Sequence, residues 1–268
     1  EDVPANFLER MLWLEADRMG YLLPAIDDSL LAVQRDVILN ERRESYENQP
    51  YGKASEIIYS MLYPPEHPYS WTPIGSAKDI AAVTLADIQE FFKMYYAPNN
   101  ASLCIAGDFN PTQAKEWVEK YFGPIPPGPT IDRPKEWQSE LNTVKRVVAE
   151  DNIKLARLYM AWPTPKAFAP GDAEFDLLAS ILTSGKTSRL YKTLVYDKQL
   201  AQDVGCYQGS KELSGDFQIT ITAKEGVSLY DIEKEVDQIL DDIRTNGITP
   251  DELVRAKTNW ETGFVRQM

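Results

Sequence analysis

The sequence predicts an α+β fold in which helices pack on antiparallel sheet. The main observation is that its two halves share an order, because each contains a short apolar run of strand character followed by a helical pattern. The first run is SLCIAGDF (102–109) and the second is DFQITITA (216–223), which alternates polar and apolar residues as a half-buried strand does. A chain of 268 residues is also long enough for two domains. We therefore predict two domains of similar architecture.

The first half is predicted to be mainly helical. An amphipathic pattern over 6–23 ends at Pro24. A long helix then begins at the capping side chains of 27–29 and continues past Pro50 in a second piece through 57–62. The pair Thr84 and Asp87 predicts a capping box, and Asn110 with Pro111 predicts the start of the next helix. The run 102–109 between these two helices is the strand of this half.

The run GPIPPGPTIDRP and its neighbours are dense in proline and glycine, which predicts a stiff linker at 124–141. Strands are predicted around 144–149 and 155–162, in addition to 216–223. Helical patterns cover 172–182 and surround 189–194. Two further helices are predicted to begin at Ser228 and at Thr249 with Pro250, and the second is still running at Met268.

The charge and composition exclude several classes of protein. A formal net charge of −13 argues against nucleic-acid binding, which requires clustered lysine and arginine, and it disfavours an anionic membrane surface. No run of about 18 apolar residues is present, so we expect no membrane insertion. The chain opens with EDVPANF rather than an initiator methionine. We therefore expect a fragment that is truncated at both ends.

Cysteine and histidine are scarce. Cys104 and Cys206 each lie in an apolar run, so we interpret them as core residues rather than a disulfide. His67 is the only histidine and lies in the loop YPPEHPYSWTPIG, where a surface or loop-packing role is expected. A self-contained zinc, haem or Ser-His-Asp site needs more histidine than this chain has.

Glu41 stands out on the predicted long helix. On a helical wheel, Leu30 and Val37 lie within about 40° of it and Ile38 at about 60°, so the carboxylate occupies the middle of an apolar arc. Gln34 lies on the same line. A carboxylate held against a core must be neutral, hydrogen-bonded, paired or bound to a metal. The alternative is that the arc is only half buried and that Glu41 reaches water or an arginine.

Four segments together resemble one family over essentially the whole chain. They are LLAVQRDVILNERRE, HPYSWTPIGSAKDIAAVT, FFKMYYAPNNASLCIAGD and SGKTSRLYKTL, in this order and with these separations. The sequence resembles the pitrilysin/insulinase family of zinc metallopeptidases, the inverzincins, which include mitochondrial processing peptidase. The resemblance implies a zinc-dependent endopeptidase whose two homologous domains close like a clam shell around a peptide substrate. Both domains would be incomplete here: 1–123 would end the zinc domain and 142–268 would begin the second.

The resemblance also implies roles for two residues of the long helix. Family members bind Zn²⁺ through an inverted His-x-x-Glu-His motif and a later glutamate, which Glu41 matches. Gln34 stands where many members have an acidic residue, so an amide hydrogen bond near the ligand is the most it could contribute. The inverted motif, with its general base, is absent and is expected upstream of Glu1. The fragment alone is therefore expected to be inactive and to bind no Zn²⁺.

A second departure concerns substrate binding. Many members carry an arginine and a tyrosine, seven positions apart, that grip the peptide backbone, and the matching positions here are Val195 and Gln202. The resemblance then implies the zinc-bearing subunit of a pair, with a homologous partner subunit or a homodimer. The resemblance also favours a periplasmic or secreted location, and a cytoplasmic one stays open.

Two rival interpretations belong to other classes of protein. The first is a non-catalytic paralogue, which acts as a scaffold or as a peptide-binding partner without metal. The second is a peptide-binding module that works by sheet extension alone. The residues upstream of Glu1 discriminate between them, since an intact inverted motif indicates a peptidase and a broken one a scaffold.

Overall fold

The structure is a computed structural model that describes residues 1–134 and 136–267. It divides into two compact units. The first contains Glu1–Glu47 and Pro73–Arg133, and the second contains Asn48–Thr72 and the residues from Pro134 onward. The later boundary falls inside the predicted linker 124–141, whose Lys135 lies outside the described residues. Segment 48–72, by contrast, belongs to the second unit. The domain boundaries predicted from the sequence had placed it in the first domain, 1–123.

Helices dominate the described chain. The α-helices are α1 Leu8–Tyr21, α2 Asp28–Arg42, α3 Ala54–Leu62, α4 Ala77–Ala82, α5 Leu85–Tyr95, α6 Pro111–Phe122, α7 Asp172–Thr183, α8 Leu229–Asn246 and α9 Pro250–Gln267. Two short π-helices cover Arg43–Glu47 and Tyr191–Asp197. The strands are β1 Arg157–Thr164, β2 Ala201–Gly209 and β3 Gly215–Ala223. The prediction that the final helix continues at Met268 lies outside the described residues.

The predicted helix starts are confirmed by their caps. The Asp27 side chain accepts a hydrogen bond from the Leu30 N–H at 2.8 Å. Thr84 and Asp87 form the reciprocal capping box at the start of α5. The Asn110 side chain accepts hydrogen bonds from the first turn of α6, in which Pro111 is the first residue. These caps satisfy N–H groups that have no partner inside the helix, which is why a few polar residues fix where each helix begins.

The strand predicted at 102–109 is wrong. These residues are irregular, and the described part of the first unit contains no strand. Leu103 is half exposed and Cys104 is exposed, so the prediction that Cys104 is a core residue is also wrong. A strand is stable only when a neighbouring strand pairs with its N–H and C=O groups, and no described neighbour does so here.

The second unit is organised around an antiparallel sheet with strand order β1-β3-β2. Met160 of β1 and Cys206 of β2 both face Ile219 of the central strand β3. The predicted strand 216–223 is confirmed, but it is almost entirely buried rather than half buried. Its polar residues are hydrogen-bonded, as when Gln218 donates to Asp216 at 2.6 Å. Cys206 is half buried, packs against the core and is a free thiol.

Of the two other predicted strands, only one forms. The pattern at 155–162 corresponds to β1, whereas 144–149 is irregular and leaves Val144 and Val148 strongly exposed. The core of the unit lies between the sheet, α7, α8 and the second π-helix, which corresponds to the helical pattern predicted around 189–194. Its largest fully buried apolar side chains are Leu182, Leu190, Leu194, Ile219, Ile221, Ile232 and Val236. Within the described ranges, no helix has the length and apolar character needed to cross a membrane.

Candidate functional site

Helix α2 is held in the first unit by one side. Leu31 and Arg42 on that side are buried. The Arg35 guanidinium donates to the carbonyl oxygens of Ala81 and Val83 at 3.2 and 3.1 Å, and Arg42 Nη1 donates to the carbonyl oxygen of Gly75 at 2.7 Å. Because these partners belong to α4 and its flanking loops, they decide which side of α2 is covered.

The other side of α2 carries the apolar arc around Glu41. Leu30, Val33 and Val37 on this side are 56%, 60% and 50% exposed, and Glu41 itself is exposed. The arc therefore exists as predicted, but the expectation that Glu41 lies against a core is wrong for the described residues. On the same wheel, Arg35 and Arg42 lie about 120° and about 100° from Glu41, so their contacts cover a neighbouring side of the helix. The alternative, a Glu41 that reaches water, is what the structure contains.

The Glu41 carboxylate has no hydrogen bond or ion pair within the described ranges. An accessible, unpaired carboxylate fits the chemistry of a zinc ligand. A hydrolytic zinc site uses three protein ligands, and the residues described by the structure include no group of three or more His, Cys, Asp or Glu side chains that could hold a metal. Glu41 therefore fits as one ligand of an incomplete set, and no catalytic step can be derived from this chain alone.

Gln34 is exposed on the same side of α2 as Glu41. Helix side chains contact one another at separations of three or four residues, whereas these two are seven residues apart. The helix alone therefore does not bring the amide and the carboxylate into contact. A role for Gln34 near a bound metal stays a prediction.

The two positions predicted to replace the peptide-gripping residues lie in different environments of the second unit. Val195 is in the second π-helix and packs against the core. Gln202 is exposed on β2, where the pairing register with β3 shifts between Ala201 and Asp203. The side chain of Val195 is thus used in core packing. Gln202 has a short amide at the position where the family has the ring of a tyrosine. Whether these positions correspond to the gripping pair stays a prediction.

His67 has a packing role, as predicted for this loop. Its side chain is fully buried beside the rings of Tyr63 and Trp137, with centroid distances of 4.6 and 4.7 Å. Nδ1 accepts a hydrogen bond from the Tyr69 N–H at 3.0 Å, and Nε2 donates to the carbonyl oxygen of Trp137 at 2.8 Å. Both ring nitrogens are therefore used within the fold, so neither is available to a metal.

Sequence reasoning missed an arginine clasp at the start of α9. Arg189 Nε donates to Glu252 at 2.7 Å, and its Nη atoms donate to Asp242 at 2.8 Å and to the carbonyl oxygen of Gly247 at 3.1 Å. The Arg189 hydrogen bonds outweigh the effect of burial and lower the pKa of Glu252 to about 2. The sequence contained one sign that Glu252 has a structural role, because it follows the predicted helix start at Thr249 with the spacing of a capping box.

A second missed feature is a lysine inside a group of aromatic rings. Lys211 Nζ lies 4.7 Å from the ring centre of Tyr59, 5.5 Å from that of Tyr69 and 5.8 Å from that of Tyr63, and it pairs with the buried carboxylate of Asp216. Burial, the largest cause, and the Asp216 charge raise the pKa of Tyr63. Sequence spacing offered no signal, since the tyrosines lie about 150 residues before Asp216.

Comparisons with known proteins agree on one family. A family model described as the peptidase M16 inactive domain matches residues 82–259. The zinc protease PqqE of Helicobacter pylori is 30% identical over 97% of this chain. The beta subunit of the Saccharomyces cerevisiae mitochondrial-processing peptidase is 25% identical over 53% of this chain and 32% of its own length.

The fold agrees as well. A crystal structure of a protease from Helicobacter pylori superposes with a TM-score of 0.81 and 27% identity, covering 98% of this chain and 64% of that one. The chain spans 59% of the length of PqqE, so the comparison covers only part of that relative.

Proposed function

Since this chain belongs to the M16 family of zinc peptidases, through the inactive domain that residues 82–259 match, we propose that it forms part of a zinc-dependent endopeptidase. In this proposal Glu41 is one of three protein ligands of Zn²⁺, and two histidines and the general base lie upstream of Glu1. Zinc bound in this way activates water for attack on a peptide bond. The contribution of this chain is to hold one carboxylate on a helix.

The observation that carries the proposal is the state of the Glu41 carboxylate. It stands unpaired on an exposed apolar stripe of a helix whose other side is fixed by Arg35 and Arg42. Because it has no ion pair among the described residues, this carboxylate can bind a metal cation without first breaking a contact. One carboxylate is a poor zinc site, so the chain alone is expected to cleave no peptide and to retain no zinc.

We further propose that the peptide is gripped by a second, homologous chain. Support comes from Val195 and Gln202, which offer neither a guanidinium nor a phenol at the positions matched to the gripping pair. The yeast relative is itself named as a subunit, which fits an assembly of homologous chains. Closure of two domains around the peptide and an extracytoplasmic location stay predictions of the same proposal.

A scaffold without metal is the second candidate, favoured by the description of the matched domain as inactive. Residues upstream of Glu1 separate the two. An intact His-x-x-Glu-His motif supports the peptidase, and a broken motif supports the scaffold.

The decisive experiment measures zinc per chain in a longer form of the protein that includes the residues upstream of Glu1. Glu41→Gln is expected to lose most of the zinc and the peptidase activity while melting at nearly the same temperature, because glutamine keeps the volume and the helix propensity. Gln34→Ala on the same stripe is the control and should change the zinc content much less. A Glu41→Gln protein with full zinc and full turnover would overturn the assignment.

A further inference from the structure

No peptide bond joins segment 48–72 directly to the rest of the second unit. The segment belongs to that unit, but the chain on both sides of it belongs to the first unit. It contains α3 and the loop that follows, and α3 packs against β1. We propose that this segment is a releasable strap over one face of the sheet, closed by a latch between Lys211 and Asp216. The inference does not depend on the zinc role proposed for Glu41.

The central strand of the sheet has one apolar face and one polar face. Alternate residues of a strand point to opposite faces, and β3 has the sequence pattern of a half-buried strand. One face carries the core residues Phe217, Ile219, Ile221 and Ala223, and the other carries Asp216, Gln218, Thr220 and Thr222. Except for Thr220, the polar set is buried. In an antiparallel sheet such a polar row usually faces water, so this face has the composition of a surface that is uncovered when the strap leaves.

The strap contacts both ends of the polar face. At one end, the centre of the Tyr51 ring lies 3.7 Å from the Arg157 guanidinium, whose Nε donates to the Thr222 hydroxyl at 2.9 Å. At the other end, the Tyr63 hydroxyl donates to the carbonyl oxygen of Gly215, the first residue of β3, at 3.3 Å. These contacts are cation–π contacts and hydrogen bonds, which water can replace when the strap is released.

Lys211, in the turn between β2 and β3, is the latch of the second end. It pairs with the fully buried carboxylate of Asp216, and its own side chain is 27% exposed. The same Nζ atom lies between 4.7 and 5.8 Å from the ring centres of three residues of the strap, Tyr59, Tyr63 and Tyr69. One cation thus attracts a carboxylate of the sheet and three rings of the strap.

The end of α3 has further contacts with backbone that is neither helix nor strand. Ser139 donates to the carbonyl oxygen of Leu62 at 2.5 Å, and Lys145 donates to that of Met61 at 2.6 Å. Because these donors lie in irregular backbone, they can follow the strap when it moves. Lys211 cannot follow it, since the strands on both sides of its turn are paired in the sheet. The latch therefore decides whether the strap stays on the sheet.

The first test measures hydrogen exchange of backbone amides in the 268-residue chain at low denaturant concentrations. After correction for intrinsic rates, amides 58–62 of α3 are expected to exchange more than about tenfold faster than those of β3. Their exchange should also depend less on denaturant, because release of the strap exposes less surface than unfolding of the sheet. Equal rates and equal denaturant dependence for α3 and β3 would show that the strap opens only when the unit unfolds.

The second test removes the cation of the latch. Lys211→Met is expected to speed exchange of amides 58–62 by about tenfold, because it loses the ion pair and the cation–π contacts but keeps an apolar stem. Lys198→Met is the matched control, since Lys198 of the same unit pairs with Glu235 of α8 rather than with the sheet. It should leave these amides unchanged. Equal effects of the two substitutions would contradict a latch at Lys211.

A double variant separates the latch from the stability of the sheet. Lys211→Met leaves the Asp216 carboxylate buried without its cation, which destabilises the sheet itself. Lys211→Met combined with Asp216→Asn removes both charges. This variant is expected to recover the protection of the β3 amides while amides 58–62 still exchange about tenfold faster than in wild type. Wild-type exchange of amides 58–62 in the double variant would overturn the proposal.

Discussion

Apolar runs of similar composition form different structures in the two units. In the second unit, Ile219 and Ile221 of β3 are fully buried between two partner strands and under α7 and α8. In the first unit, Leu103 of the corresponding run is 50% exposed, and Leu30, Val33 and Val37 of α2 are at least half exposed. Both runs have the composition of a strand. The difference teaches that composition makes a strand possible, whereas pairing with a neighbouring strand makes it stable.

Helix capping, in contrast, works alike in both units. The box of Thr84 and Asp87 in the first unit has a counterpart in Thr249 and Glu252 in the second. A cap uses side chains within four residues of one another, so it forms wherever the local sequence allows. The two units are therefore alike in their local interactions and differ in their long-range interactions.

The largest expected effect contrasts the two apolar runs. Ile219→Ala should lower the free energy of unfolding of the second unit by about 3 kcal/mol, because the site is fully enclosed and leaves a cavity. Leu103→Ala should change stability by less than about 0.5 kcal/mol, since that side chain is already half in water. Urea unfolding followed by circular dichroism measures both. Similar losses in the two variants would contradict the comparison.

The next effect concerns the arginine clasp and its pH dependence. The pKa of Glu252 is about 2 in the folded protein and about 4.5 in the unfolded chain. Its charge therefore stabilises the second unit fully at pH values above about 4.5, and this stabilisation is lost as the pH falls towards 2. The shift corresponds to about 3 kcal/mol, and the loss in Glu252→Gln should be somewhat smaller because an amide still accepts a hydrogen bond.

Unfolding of Glu252→Gln should also depend less on pH between 5 and 2 than unfolding of wild type. Denaturant midpoints across that range measure the difference. Asp87→Asn in the first unit is the control, since Asp87 has its capping contacts with Thr84 and no arginine partner among the described residues. Parallel pH profiles for wild type and Glu252→Gln would show that the clasp does not stabilise the fold through this charge.

A smaller effect is expected at the two caps. Thr84→Ala and Thr249→Ala each remove a hydroxyl that accepts an N–H from the first helical turn, at a cost of about 1 kcal/mol. Amide exchange in the first turns of α5 and α9 measures each loss separately. The two should agree within a factor of about two if capping is local. A far larger loss at one of them would show that its cap depends on the surrounding fold.

The smallest expected effect is at Val148. This residue belongs to the predicted strand that does not form, and it is 93% exposed. Val148→Lys should therefore change the free energy of unfolding by no more than about 0.5 kcal/mol. A loss above about 2 kcal/mol would show that Val148 is buried in solution and that segment 144–149 is paired.

The candidate site was predictable in one respect and not in another. Resemblance and the helical wheel both selected Glu41, and the structure places it on a helix that begins where Asp27 caps it. The exposure of its apolar stripe could not be predicted, because a wheel shows that a stripe exists but not which stripe α4 and Gly75 will cover. Tyr51 escaped the sequence analysis because its partners lie about a hundred residues away.

By itself, the sequence determined the elements whose interactions are local. Capping residues, proline positions and helical periodicity lie within a few residues of one another, so they fixed the starts of α2, α5, α6, α8 and α9. Only the tertiary structure decided which apolar runs became strands, which side of α2 was covered, and that segment 48–72 joins the second unit. Each of these outcomes depends on contacts between residues far apart in the chain, and a contact of that kind leaves no periodic trace in either of the segments that make it.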